Sequence, residues 1–455
     1  MKLKHFLNKL SSPQVYRALL IIAGICFCKE LLVVSKIEPV WQGYWDTSDY
    51  RVQSETSLFS FNFYCPKPRL WVAPRPFTMP LMYKFVDSDI YKMVLFQKFF
   101  YCLSVFTLIL CLNLFIVNYL LKTLCSLSLL FFFTWWNIVG WSDNPLSESI
   151  SISFMLLWFA AILWYYYKST WLSITTLALC SVLLSFTRDN WPYPILLFFI
   201  SNLVLNLCLK KKRIKADSFF VFFSLVVFLF QSYTMKIGER NVLPIFNSIA
   251  VRITQNTEYL DWFEKEGMPA RSTLVKNFTG VSAETNKGVE AVYSGYGDSS
   301  FTKLFEWIKK DGKVAYQKFI LTHPTYFFLA DQTKEEAERL FAYNVYKYYP
   351  KPKGFFANAD NFFPIFGNYV SLLLLLVSTY VYFRLKEVVY LTPLIFGTLT
   401  LINALIVYNA DALEVKRHMI NTVICRELLC IVSVFFIIDY FIKFNKQRAE
   451  AKLIN

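Results

Sequence analysis

The stretch Trp171–Phe186, WLSITTLALCSVLLSF, decides the fold. It is apolar overall but short, and Ser173, Thr175, Thr176, Ser181 and Ser185 interrupt it. Read as a membrane crossing, it puts the basic run KKKRIK, residues 210–215, on the same side as the N-terminal MKLKHFLNKL. Read as a surface segment, it puts the two on opposite sides. Basic residues in short loops favour the cytoplasmic side of a membrane, so loop charge discriminates between these readings.

Apolar runs of roughly 17–25 residues suffice to cross a bilayer. The candidates are 15–35, 93–119, 123–141, 148–167, 171–186, 192–209, 217–236, 368–384, 388–408 and 419–442. With 171–186 counted and the N-terminus inside, sixteen basic residues fall in cytoplasmic segments and three (Arg188, Lys416 and Arg417) in short external loops. The expected fold is therefore an all-α polytopic membrane protein with about ten transmembrane helices and both termini cytoplasmic. The first apolar run is too long for a signal-peptide core and lacks a small-residue cleavage site, so it reads as a retained helix.

Composition agrees with this class. Of 455 residues, 56% are hydrophobic and 19% aromatic, which is rare in a soluble domain and suits a lipid-bilayer partner. The formal charge of +15 sits largely in flanks between apolar runs rather than in a patch on a soluble face, which argues against nucleic acid. Most of the ten cysteines, Cys26, Cys28, Cys102, Cys111, Cys180 and Cys430 among them, lie inside apolar runs. There they act as small hydrophobes, and no CxxC framework for a metal or redox centre exists.

Three regions follow: an N-terminal membrane module of about seven helices, 1–236; an external region, 237–367; and a C-terminal membrane module of about three helices, 368–455. Segment 36–92 forms a second long external stretch. Within 237–367, apolar spacing predicts helix over Lys303–Ile308 and Val314–Leu321, KEEAERL (334–340) is a good exposed helix former, and 277–300 reads as an irregular loop. A small, mainly helical external domain is expected.

Polar residues able to do chemistry gather on the external side. In YWDTSDY, residues 44–50, Asp46 and Asp49 serve as turn or cap residues, as a general base with a neighbouring carboxylate, or as ligands for a divalent cation such as Mg or Mn. WSDNPLSE, residues 141–148, is either a helix N-terminus or a carrier of a second acid, Asp143, with Glu148 beside it. Arg188 and Asp189 form either a local ion pair or a phosphate clamp centred on the forked donors of Arg188. In EVKRH, residues 414–418, Glu414, Arg417 and His418 either cap a helix or grip a phosphate. Arg75, in a Pro-rich loop, has both kinds of reading, and His323 before Pro324 is structural or catalytic.

These residues and their order resemble the GT-C superfamily of membrane glycosyltransferases, which use polyprenyl-phosphate sugars. The carriers of the resemblance are one helix followed by a large external loop with Asp46 directly after Trp45, the stretch RPFTMPLMYKF (75–85), SDNPLSES (142–149), TRDNWPYP (187–194), KFILTHP (318–324) and EVKRH. The phage-encoded serotype-converting O-antigen glucosyltransferases are a similar subgroup. The Asp-Asp or Asp-Glu dipeptide of some members is replaced here by Asp46-Thr47-Ser48-Asp49.

The resemblance implies a polyprenyl-phosphate sugar donor, a glycan or glycolipid acceptor, and a periplasmic active site, as in a bacterial inner membrane. Asp46, Asp49 and Asp143 would be the catalytic acids, and Arg188, Arg417, His418 and Arg75 would hold the donor phosphate. Glu148, Asp189, Glu414, His323 and Trp45 would orient donor or acceptor. Two other classes compete: an O-antigen ligase or polymerase, which relies on external Arg and His, and a lipid or solute transporter, which places charges at mid-membrane.

Overall fold

The computed structural model describes residues 12–33, 45–68, 73–208, 213–281, 286–327, 368–385, 392–410 and 418–454. Among them the secondary structure is helical, with no strand. The N-terminal module contains α1 (Pro13–Val33), α2 (Trp45–Ser54), α3 (Phe61–Tyr64), α4 (Thr78–Phe85), α5 (Ile90–Leu112), α6 (Tyr119–Phe133), α7 (Trp136–Val139), α8 (Ser147–Tyr167), α9 (Trp171–Ser185), α10 (Pro192–Cys208) and α11 (Ile214–Ile237). A single 3-10 turn, Gly140–Asp143, joins α7 to the approach to α8.

Four described helices are long and apolar enough to cross a membrane: α5, α8, α11 and the segment Ile420–Asn445. A fifth is obtained if α6 and the bent stretch Asn137–Asp143, which meet at 61°, count as one span. This makes the chain a membrane protein. Each of the ten apolar runs contains helix, but α9 and α10 are only 15 and 17 residues long. At 1.5 Å per residue, α9 measures about 22 Å, less than the roughly 30 Å hydrocarbon layer.

The hydroxyls that break up the decisive stretch have structural uses. Thr170 and Ser173 form a reciprocal capping box that starts α9, and the Oγ of Ser181 accepts a hydrogen bond from the indole of Trp158 at 3.0 Å. Ser173 and Ser181 thus meet partners at the helix cap and on α8, while the buried Ser185 hydroxyl has none.

α8 lies at the centre of the module. It packs on α5 and α9 through buried Phe154, Met155, Trp158 and Phe159, with Phe154 edge-on to Phe100 at 4.9 Å. α11 is peripheral, with Phe219, Phe222, Val226 and Leu229 exposed along it. Charges also lie inside the apolar runs. Lys98, Asp217, Arg426, Glu427 and Asp439 all lie in them, and each is paired: Lys98 with Asp143, Asp217 with Tyr165, Asn202 and Asn206, Arg426 with Glu427, and Asp439 with Lys443. Burial in a low-dielectric interior makes such pairing obligatory.

Residues 242–327 follow as α12 (Val242–Val251), α13 (Thr257–Lys265), α14 (Arg271–Phe278), α15 (Asn286–Tyr296), α16 (Thr302–Trp307), α17 (Lys313–Thr322) and α18 (Pro324–Phe327). It has its own core, including Phe246, Leu260, Phe263, Leu274, Val292, Leu304 and Phe319. α16 and α17 agree with the predicted helices, joined by a π turn over Ile308–Gly312. α15 corrects the reading of 277–300 as irregular. Its sequence is rich in Gly and Ser, but Val289, Val292 and Tyr296 share one face that packs on this core. The stretch KEEAERL lies outside the described residues. The domain meets the membrane body where the Arg252 guanidinium lies over the Tyr408 ring, 3.7 Å from its centroid, and Tyr316 donates to the Asn409 carbonyl at 2.9 Å. Tyr408 and Asn409 end α20 (Thr392–Ala410), which stands between α19 (Asn368–Leu385) and α21 (Ile420–Ile454).

Candidate functional site

YWDTSDY is not a loop, since residues from Trp45 onward are helical in α2. Helical spacing therefore puts Asp46, Asp49, Tyr50 and Gln53 on one face, because positions three, four and seven apart align. That face meets the loop before α4. The Arg75 guanidinium donates through Nη2 to Asp46 at 2.5 Å and to Asp49 at 2.7 Å, and through Nε to Asp49 at 2.9 Å. The other carboxylate oxygen of Asp49 accepts from the backbone N–H of Ala73 at 3.1 Å. Gln53 fixes the backbone of Arg75 in both directions, donating to its carbonyl at 2.9 Å and accepting from its N–H at 3.0 Å.

This geometry separates the two acids. The Asp49 side chain is 4% exposed and the Asp46 side chain 22%, so Asp46 is the one a substrate can reach. Burial raises the pKa of Asp49, opposed by the Arg75 charge and its hydrogen bond and by the Ala73 N–H, while the Asp46 charge adds to the rise. Arg75 is corrected from phosphate ligand to counter-ion of the acid pair. It stands where a divalent cation bridging Asp46 and Asp49 would stand, and no cluster of three or more His, Cys, Asp or Glu exists among the described residues. The acid pair therefore does not fit a metal site.

Tyr50 links this pair to the next set of residues. Its ring stacks on Tyr83 at 6.0 Å, and its hydroxyl hydrogen-bonds to Ser147. Burial pushes its phenol up to about 12, helped by the negative charges of Asp46 and Glu148, while Arg75 and the Ser147 bond oppose the rise. The segment leading into α8 is gripped residue by residue. Lys98 pairs with Asp143 at 2.6 Å, Gln97 donates to the Asn144 carbonyl at 3.0 Å, and the Tyr83 hydroxyl donates to the Pro145 carbonyl at 2.8 Å. Glu148 follows in the first turn of α8, fully buried and 3.7 Å from Arg188. Arg188 Nη2 in turn contacts His418 Nδ1.

Other expectations change. Asp189 does not pair with Arg188. It binds Arg240 through two donors, at 2.9 and 3.0 Å, and Gln231 at 2.5 Å. The turn after α9 sends the neighbouring side chains in opposite directions, so Asp189 is corrected from a donor-orienting role to a tie with the end of α11. Asp143 is held by Lys98 rather than open to an acceptor, which corrects its reading as a reacting acid. His323 ends α17 with its ring stacked on Phe319 at 4.2 Å and edge-on to Tyr259 and Trp262. That places His323 against the aromatic core of the 242–327 domain, the structural one of its two expected roles. Glu414 and Arg417 lie outside the described residues, and Trp45 lies in α2 with its side chain outside the description.

Lys98, Gln53, Tyr50 and Arg240 are residues that sequence reasoning did not single out. Lys98 carried a signal: a lone cation amid MVLFQKFFYC needs a buried partner. The site therefore joins a reachable carboxylate held by a guanidinium to an array of buried Glu148 with partly buried Arg188 and His418. No protein-family model matches the sequence, and no curated protein is significantly similar to it.

Proposed function

We propose that the chain is an integral-membrane glycosyltransferase of GT-C-like build, with about ten transmembrane helices. In this reading it moves a sugar from a polyprenyl-phosphate donor to a glycan or glycolipid acceptor on the periplasmic face of a bacterial inner membrane. The observation that carries the reading is the shared face of α2, which sets Asp46 half-open above buried Asp49 and locks both to Arg75. Asp46 takes the proton of an acceptor hydroxyl. The hydroxyl oxygen then attacks the anomeric carbon, the bond from that carbon to the phosphate oxygen breaks, and polyprenyl phosphate leaves with the electron pair. A single displacement of this kind inverts the anomeric centre. Arg188 and His418 receive the leaving phosphate, which is where preorganised positive groups lower the barrier most. Arg75 holds Asp46 in place through their ion pair.

The test is transfer activity of reconstituted protein with a radiolabelled polyprenyl-phosphate sugar. Asp46→Asn is expected to lower kcat about 10²–10⁴-fold, the usual contribution of a general base. Arg188→Ala is expected to raise the donor KM. Full activity in both Asp46→Ala and Asp49→Ala would sink the mechanism. The contact of Arg188 with His418 favours a second reading, a ligase or polymerase of O-antigen type. In that case His418→Ala and Arg188→Ala abolish transfer while Asp46→Ala does not.

A further inference from the structure

Phe59 and Phe61 are exposed, Phe59 completely, in a segment that is otherwise tightly built. Lys84 donates to the carbonyls of Ser54 and Thr56 at 2.8 and 3.0 Å, the Ser60 N–H donates to the Ser57 carbonyl, and Gln53 donates to the Phe63 carbonyl at 3.0 Å. Two bulky aromatic rings on such a fixed turn are not explained by packing within the chain.

Their neighbours indicate what surrounds them. Leu58, Phe63 and Tyr64 join a cluster with Phe77, Phe186, Phe223, Val227 and Phe230. The last three belong to α11, which has the length and hydropathy of a membrane span and is mostly unburied. Phe230 lies seven residues before the end of α11 at Ile237, which is about 10 Å along the helix axis. The same external segment also reaches that end, where Pro74 crowds Gly238. So the turn carrying Phe59 and Phe61 is packed below the tip of α11, a helix that itself exposes Phe222, Val226 and Leu229.

We infer that residues 57–64 form an aromatic wedge that sits in the outer leaflet of the bilayer, with Phe59 and Phe61 among the acyl chains and glycerol region. Aromatic rings favour that depth. The wedge is anchored through Gln53 to the face of α2 that carries Asp46 and Asp49, so it holds the candidate site at the membrane surface. The inference does not depend on the glycosyltransferase reading.

The experiment introduces benzoylphenylalanine singly at positions 59, 61, 222 and 303 of the full chain. The protein is reconstituted in phosphatidylethanolamine–phosphatidylglycerol vesicles, irradiated, and analysed by intact mass. Position 222 on α11 is the lipid-exposed reference, and position 303 on α16 is the reference for the external domain. A phospholipid adduct at 59 and 61, in yield comparable with 222 and absent at 303, is expected. Adducts at 222 but none at 59 and 61 would overturn the wedge. So would a dimer-mass product at 59 and 61, which would assign the surface to a second copy of the chain.

Discussion

Replacing Lys98 by Met tests the clamp beneath the candidate site. Lys98 and Asp143 meet at 2.6 Å with side chains only 6% and 1% exposed. Neither charge is well solvated, so most of the compensation for burying each comes from the other. Removing one partner of such a pair costs about 3–5 kcal/mol, because the remaining charge stays buried. Lys98→Met is therefore expected to lose that much unfolding free energy, measured by denaturant titration in micelles with circular dichroism as the signal. The double variant Lys98→Met/Asp143→Leu replaces the pair by apolar side chains of similar volume and is expected to recover most of the loss, since buried ion pairs exchanged for packed hydrophobes are often close to neutral. The same double variant leaves the grip of Gln97 on Asn144 and of Tyr83 on Pro145 in place. A single-variant cost below about 1 kcal/mol, the size typical of an exposed pair, would refute the reasoning. A double variant as unstable as the summed single variants would refute it equally.

Asp189→Ala leaves the Arg240 guanidinium, which is 5% exposed, with only the Thr234 carbonyl and hydroxyl as acceptors, and is expected to cost about 1–3 kcal/mol in the same assay; a loss within about 0.5 kcal/mol of zero would show that the ion pair adds nothing to stability. Asp217→Ala removes the acceptor of three hydrogen bonds at 2.8 Å, from Tyr165, Asn202 and Asn206, and should cost about 3 kcal/mol, whereas Asp217→Asn keeps an acceptor and should cost less. Burial raises Asp49 above the ordinary carboxylate range, so the folded chain holds that proton more tightly than the unfolded chain. The stability from this group is full below about pH 3.9 and is lost as pH rises through the folded value. The stability of the parent protein relative to Asp49→Asn should therefore fall as pH rises above about 4, and a pH-independent difference would contradict the assignment.

Much of the architecture was readable from local patterns. Runs of apolar residues announce helices wherever they fall, and the ten runs all contain helix in the structure. Helix α15 was missed because Gly288, Ser294 and Gly295 hide a face that packs on Phe246 of another helix. The run 171–186 matches α9 to within one residue, and its shortness is set by the cap at Thr170 and the turn after Ser185.

The candidate site divides along the same line. The sequence by itself determined that this is a membrane protein, that its acids and cations cluster in the segments between apolar runs, and that Asp46 and Asp49 stand three residues apart. Tertiary structure alone decided their partners. It turned the spacing of DTSD into a shared helix face, gave Arg75 to the acids instead of to a phosphate, and parted Arg188 from Asp189. The partners are far apart in the chain, 26 residues from Asp49 to Arg75 and 230 from Arg188 to His418. Hydrophobicity and helical periodicity are properties of a short window and can be read in order. A charge's partner is whatever group the packing brings within about 4 Å, and no window of sequence contains that distance.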